Sequence, residues 1–473
     1  MRESERLMKN TAFLGIASVV SKGISFLFMP FLTSYLSPAE FGAAEIVMNT
    51  ALLLLPFVSL YAPEMLFRFL VSEEDKSAVV TVSAFFAALG TAVFLLLFPL
   101  TALVPFLRAY RYYLLCYVPA SIFHSFFTHW LRAEGNYRSY AAFGIVSTAL
   151  TVLLQVLMLG VFRLGVGGYL SAIILADFAV GLVLLFKKRP WQFLKMRFVF
   201  YGKAREMTKY ALPLIPAATV TWITAHSNRY FLLYYHGNAA TGVYAAAGRI
   251  PALFTLLLGM FLEAWHYSAV RVEREVRARI FSRAFRLLLP LAATLCGFFM
   301  LVAMPLVGLL LHADYSGAST PLLFLLAGAF CSALSGFLGS AYSVTMQTEA
   351  SLFTSLAGAA FNVILNLLLI PPMGLLGAAL AVFFAYFFLL LIRIRQITVM
   401  LHVKLEVSCV IRTVLLLLFV ATAVVSGSWW SAFCAVLLLT LSFWREMREV
   451  IKYFLPFLLQ NKKRQKTPTD IDN

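Results

Sequence analysis

The sequence predicts an all-α integral membrane protein of about 14 transmembrane helices, arranged as two six-helix parallel-repeat lobes followed by two C-terminal helices. Three observations carry that prediction. The first is composition: of 473 residues, 62% are hydrophobic and only 12% charged, with 44 phenylalanines and a mean hydropathy of +0.87. A soluble domain carries about 25% charged residues, so no water-facing surface hides this chain. The second is that apolar runs of spanning length recur from near the first residue almost to the last. The third is that the linkers between runs alternate between basic and nearly uncharged.

The chain opens on a polar segment, MRESERLMKN, followed by an apolar run of roughly 25 residues. That run exceeds a signal-peptide core and lacks a small-residue cleavage site, so it reads as the first span. A span needs about 20 apolar residues. Runs of that kind lie at 11–36, 42–67, 79–104, 112–132, 140–163 and 166–187, and then at 210–235, 241–266, 285–311, 318–345, 352–371 and 373–396. Two shorter runs follow at 410–427 and 429–445. The expected organisation is therefore a lobe at 1–200, a second at 201–400, and a terminal pair with a basic tail at 401–473. Of the 38 Lys and Arg residues, 32 fall in one set of linkers, three (Arg108, Arg111 and Arg163) in the other, and three within spans. The positive-inside rule places both termini in the cytoplasm. The net charge of +17 is thus an orientation signal with attraction to anionic membrane lipids, not a nucleic-acid surface.

A repeat at an offset of 200 residues is visible in the turns. Tyr35-Leu-Ser-Pro-Ala-Glu-Phe-Gly42 is echoed by Tyr235-His-Gly-Asn-Ala-Ala-Thr-Gly242, and Gly165-Val-Gly-Gly168 by Gly374-Leu-Leu-Gly377. Six spans separate the paired positions, so the two halves run in the same orientation. Parallel repeats build two-lobed transporters with a substrate path between lobes.

Lys22, Arg229 and Arg249 fall inside spans, where a charge is costly unless it faces a wet cavity or an ionic partner. Trp222, His226 and Arg229 follow i, i+4, i+7 spacing and share one helical stripe. The repeat relates Lys22 to Trp222 and Arg249 to Asn49, with Glu45 one turn from Asn49. These positions predict a cationic cavity lined by spans 1, 2, 7 and 8, against the alternative of isolated structural ion pairs. Arg and Lys at such depth suit phosphate or pyrophosphate headgroups. Trp222, Tyr230, Tyr234, Tyr235 and Tyr244 stack on sugar faces in that reading, or anchor the helices at the membrane interface.

The carboxylates Glu45, Glu64, Asp177 and Glu263 are the candidates for H+ or Na+ coupling. Glu64 stands four residues before Arg68 and alternatively pairs with it; Glu263 lies one position from the repeat equivalent of Glu64. Asp177 is either a coupling site or the partner of a buried amide. His124 and His129 on the fourth span are proton shuttles or hydrogen-bonded packing residues. Pro56 and Pro63, and Pro213 with Pro216, are expected to kink spans two and seven. The five cysteines sit in apolar runs without metal or disulfide spacing. No catalytic loop, cofactor motif or sizeable outer loop is present in the sequence, which argues against an enzyme and implies no cofactor.

Asn10-Thr-Ala-Phe through Leu36-Ser-Pro-Ala-Glu-Phe-Gly42, with Phe67-Arg68-Phe69 closing the second span, resembles the polysaccharide flippases (Wzx type) of the multidrug/oligosaccharidyl-lipid/polysaccharide exporter superfamily. Trp130-Leu-Arg-Ala-Glu-Gly-Asn-Tyr-Arg138 resembles that family's short cytoplasmic turn. Asn362-Val-Ile-Leu-Asn366 leading through Ile370-Pro-Pro-Met-Gly374 to Gly377-Ala-Ala-Leu-Ala381 is similar as well. The resemblance implies two six-span lobes and alternating-access movement of an undecaprenyl-pyrophosphate-linked oligosaccharide to the outer leaflet. It maps a cationic cavity onto Lys22, Arg229 and Arg249, with Arg68 at the cytoplasmic mouth. A lipid II flippase and a cation-coupled drug antiporter are the alternatives within the superfamily.

Overall fold

A computed structural model describes residues 15, 17–72, 75–195, 198, 202–269, 274–345, 347–401, 403, 407–427, 429–443 and 448. The polar N-terminus, Arg271 and the basic C-terminal tail lie outside the described residues. The described residues hold nine helical stretches long and apolar enough to cross a membrane, and two shorter apolar helices.

The first is α1, Ala17–Tyr35. Its successor α2, Pro38–Ser59, begins with a capping box in which Ser37 and Glu40 satisfy each other's backbone donors. Pro56 is tolerated inside α2, but the expected kink at Pro63 is a full break. Leu60 and Tyr61 adopt left-handed conformations and α3, Ala62–Ser72, starts afresh. A proline early in α3 removes a donor that a continuous helix would need. Next come α4 (Lys76–Leu97), α5 (Arg111–Ala133), α6 (Tyr137–Gln155, prolonged by a π-helical turn) and α7 (Gly165–Lys188). The short α8, Gly202–Ala211, precedes α9, Leu214–Ala247, and the break between them falls at Pro213.

Two helical stretches are broken internally at a glycine. The 34 residues of α9 contain a non-helical Gly237 with φ 79° and ψ −175°. The 54 residues of the helix Thr348–Leu401 contain Gly374 at φ 54° and ψ −122°. A straight helix of that second length would run about 80 Å, well beyond a hydrocarbon core of about 30 Å. Both glycines stand in regions that side chains resist. They break the apparent helices at or beside the linkers that the sequence predicts at 235–241 and 371–373. The remaining helices are α10 (Arg249–Ala269), α11 (Arg274–Leu310), α12 (Ser319–Thr345), α13 (Thr348–Leu401), α14 (Val407–Val425) and α15 (Trp429–Ser442).

The chain forms two compact units. One comprises residues 1–249, 306–321 and 355–385; the other comprises 250–305, 322–354 and 386–473. In the first, α3, α4, α5, α7 and α8 enclose a core around Trp130, which is 2% exposed and packs with Met65, Leu66, Val80, Leu184 and Met207. The Trp130 indole donates to Glu134 at 2.7 Å, and Glu134 in turn pairs with Lys188. In the second unit, Trp265 packs on Phe281 and Phe337 at 4.9 and 4.8 Å and donates to Ser340. Arg393 there is 8% exposed and donates to the Ser335 carbonyl at 2.8 Å.

The two turns that carry the first sequence echo meet inside the first unit. A Cβ on Gly42 would lie 2.0 Å from the Asn238 carbonyl oxygen, and one on Gly242 would lie 1.8 Å from that of Pro38. Positions 38, 42, 238 and 242 thus contact one another reciprocally, as in an isologous interface. The backbones of α2 and α9 touch here because both echoes supply glycine. The second echo is also conformational, since Gly165 and Gly374 both have φ 54°.

Candidate functional site

One turn along α2 from Gly42 lies Glu45, whose side chain is 9% exposed. A carboxylate in a span is costly unless compensated, and here two arginines compensate it. Arg249, the first residue of α10, donates directly to Glu45 Oε1. Arg229, on α9, brings Nε to 3.9 Å from Oε2, an ion pair too long for a hydrogen bond. Asn49, one turn further along α2, donates from Nδ2 to the Glu45 carbonyl at 2.6 Å and to Oε2 at 3.3 Å. The repeat-related positions 49 and 249 therefore both bond to the same carboxylate.

The stripe predicted on the seventh span is present. Arg229 Nη1 donates to His226 Nδ1 at 3.0 Å, and Trp222 Nε1 donates to the Asn49 carbonyl at 2.9 Å. Tyr230 hydrogen-bonds Thr50 at 2.7 Å and its ring lies 5.3 Å from Trp222. Six of the predicted residues thus form one cluster: Glu45, Asn49, Trp222, His226, Arg229 and Arg249.

Its charge balance is uneven. One carboxylate faces two guanidiniums, leaving the buried Arg229 Nε without a hydrogen-bond partner. Arg249 retains 38% of its side-chain exposure. It opens on a cavity of about 210 Å³ lined also by Ser25, Ser147, Thr151, Gln155 and Tyr169. The site offers excess positive charge, spare planar donors and hydroxyl and amide groups for polar substituents.

The structure separates the other predicted residues from this cluster. Lys22 is exposed on α1, one turn before Ser25 on the face that reaches the cavity. Arg68 lines a different cleft of about 390 Å³ with Glu206, Lys209 and Tyr210. Glu64 does not pair with Arg68; its ionic neighbour is His129, at 3.9 Å. A break before Ala62 and the packing of α3 on α5 turn Glu64 toward the histidine. Asp177 on α7 faces His124 on α5 at 3.6 Å, so each unexplained residue is the other's partner. Glu263 lies on α10, but its side chain falls outside the described residues.

Sequence reasoning grouped Glu45 with the other carboxylates; the structure places it among the cations. It also missed a buried amide network in which Ser227 donates to Asn362 Oδ1 at 3.1 Å. There Asn366 Nδ2 donates to Ser227 Oγ and Asn362 Oδ1 at 3.2 and 3.0 Å. The available signal was the i, i+4 spacing of two asparagines in an apolar span.

No curated protein sequence matches the chain significantly. Solved structures match in fold. The lipid II flippase MurJ in an inward closed conformation aligns with a TM-score of 0.68 at 13% identity, covering 94% of this chain and 100% of that one. An inward-facing multidrug resistance MATE family transporter gives 0.63 at 14% identity, over 80% and 94%. A transporter from Pyrococcus furiosus, described as having reversed binding-pocket polarity, gives 0.62 at 14%, over 83% and 96%. These proteins are transporters and flippases, and the likeness shows a shared multi-helix membrane fold. A family model described as "Polysaccharide biosynthesis protein" matches residues 7–267, more than half of the sequence. With this match, the chain belongs to the polysaccharide biosynthesis protein family.

Proposed function

We propose that the protein is a flippase that moves a polyprenyl-pyrophosphate-linked oligosaccharide from the cytoplasmic to the outer leaflet by alternating access of two lobes, 1–200 and 201–400. One observation carries the reading: Arg229 and Arg249 share a single carboxylate, so a net positive, donor-rich site borders a polar cavity. A pyrophosphate accepts bidentate hydrogen bonds from two guanidiniums. Trp222 and Tyr230 supply rings beside it for sugar. Lys22, one turn from the cavity wall, and Arg68, at a separate cleft, are assigned to guiding the headgroup inward. The Asp177–His124 and Glu64–His129 pairs are assigned to H+ coupling, since each joins a carboxylate to an imidazole within spans.

The triple variant Lys22→Ala, Arg229→Ala, Arg249→Ala should abolish polymer export while its membrane level stays normal. Full export by that variant would falsify the assignment of the cavity. Transport of lipid II is the second reading, favoured by the fold match to the MurJ structure and by the same pyrophosphate chemistry. Growth of a strain depleted of its lipid II flippase, rescued by this gene, selects it over the first. A drug antiporter for cations suits an acidic site, and this one is basic.

A further inference from the structure

Glu45 poses a question for an anion carrier, because a carboxylate between the two binding arginines opposes the cargo it would carry. Its position answers that question. Glu45 stands on α2, whereas both guanidiniums stand on α9 and α10. The ion pairs therefore bridge segments about 180 to 200 residues apart in sequence. One turn away, Gly42 and Gly242 hold the same segments in backbone contact.

Resting on the pyrophosphate reading, we infer that Glu45 is a stand-in for the cargo's anion: it clasps α2 to the arginines while the site is empty and is displaced when the headgroup arrives. The exchange favours the arginines and leaves the carboxylate one amide partner. A pyrophosphate offers the guanidiniums more acceptor oxygens than a carboxylate, and it satisfies the Arg229 Nε that Glu45 leaves without a hydrogen bond. The released carboxylate keeps the Asn49 amide, which donates to it from its own helix. With the cross-links transferred to the cargo, the ionic bridges from α2 are gone; close packing and the Trp222–Asn49 and Tyr230–Thr50 hydrogen bonds remain, and the contact at Gly42 and Gly242 loses its clasp. The groups facing Glu45 are Arg249 from α10, Arg229 and His226 from α9, Tyr169 from α7 and Tyr117 from α5. Among the described residues, the two arginines are its only permanent countercharges. Loading thus opens the outer side, and an empty carrier stays shut.

Hydrogen–deuterium exchange of the purified full chain tests this, with CDP-diacylglycerol as a pyrophosphate-diester probe and phosphatidylglycerol as its monophosphate control. The readout is exchange across residues 38–49 and 238–249, with 126–131 around Trp130 as internal reference. In the wild type the probe should raise exchange of both segments at least about threefold, opposite to the protection that ligand binding ordinarily confers. In Glu45→Gln both segments should exchange fast without probe, and the probe should add nothing. Should Glu45→Gln fail to fold, Arg229→Gln combined with Arg249→Gln breaks the same clasp from the other side and should read alike. Slow exchange in the folded, probe-free variant, or protection of the wild type by the bound probe, overturns the clasp. If the variant opens but the wild type ignores the probe while responding to other anions, the clasp stands and the pyrophosphate reading falls.

Discussion

Glu45 bonds to Arg249 and Asn49 and lies beside Arg229, so truncating it strands two cations, whereas truncating Arg249 leaves Glu45 with two partners. Breaking a buried pair costs about 3–5 kcal/mol when a charge is left uncompensated. Because Arg249 keeps 38% of its side chain exposed, Glu45→Ala should fall near the lower end, about 3 kcal/mol. Arg249→Ala should cost clearly less, and the two melting temperatures in detergent should rank accordingly. An equal loss in both variants would contradict the shared-carboxylate geometry. What was legible at this scale was expense: Arg229, Arg249 and Glu45 stand out because charge in an apolar run demands a partner. Which partner was not legible, since the Glu45–Arg249 and Asp177–His124 contacts are tertiary and leave no local spacing. Glu64 and Arg68 had that spacing and do not pair. Arg393, inside the run at 373–396, is buried against Ser335.

At the scale of elements, the α2–α9 contact is set by two glycines. Adding a methyl at Gly42 or Gly242 places it within about 2 Å of a backbone oxygen that no rotamer change can move. Overpacking of this kind costs about 1–3 kcal/mol. Gly42→Ala and Gly242→Ala should each lower the melting temperature and depress export, because α2 and α9 must move apart. Gly23→Ala on α1 meets nothing within 4 Å and should be neutral in both assays. Gly237→Ala separates strain from crowding: nothing stands within 4 Å of its Cβ, yet its φ is 79°. Its cost should be the backbone term alone, about 1–3 kcal/mol, in the same thermal assay. The helices themselves were readable from hydropathy, and so were the turns at Gly237 and Gly374. The break at Leu60 and Tyr61 was not, because neither residue type announces a left-handed conformation.

For the whole molecule, orientation rests on two independent arguments that must agree. The distribution of Lys and Arg, 32 of 38 in one set of linkers, assigns the turns at 35–38 and 235–238 to the outer face. The reciprocal contact of Pro38 and Gly42 with Asn238 and Gly242 requires those two turns to share a face, whichever face it is. An even number of spans must therefore separate them, which is the condition for parallel rather than inverted repeats. Single cysteines at Ser37 and Asn238, both exposed, should react with an impermeant maleimide on intact cells. A cysteine at the exposed Arg189, within the basic linker after α7, should react only after permeabilisation. Labelling of Ser37→Cys and Asn238→Cys from opposite sides would break the parallel repeat and the α2–α9 contact together. Labelling of both only after permeabilisation would keep the repeat and reverse the orientation, so that the charge rule alone fails. The two results are separable because packing fixes the relation between the turns, while charge fixes only which compartment they face.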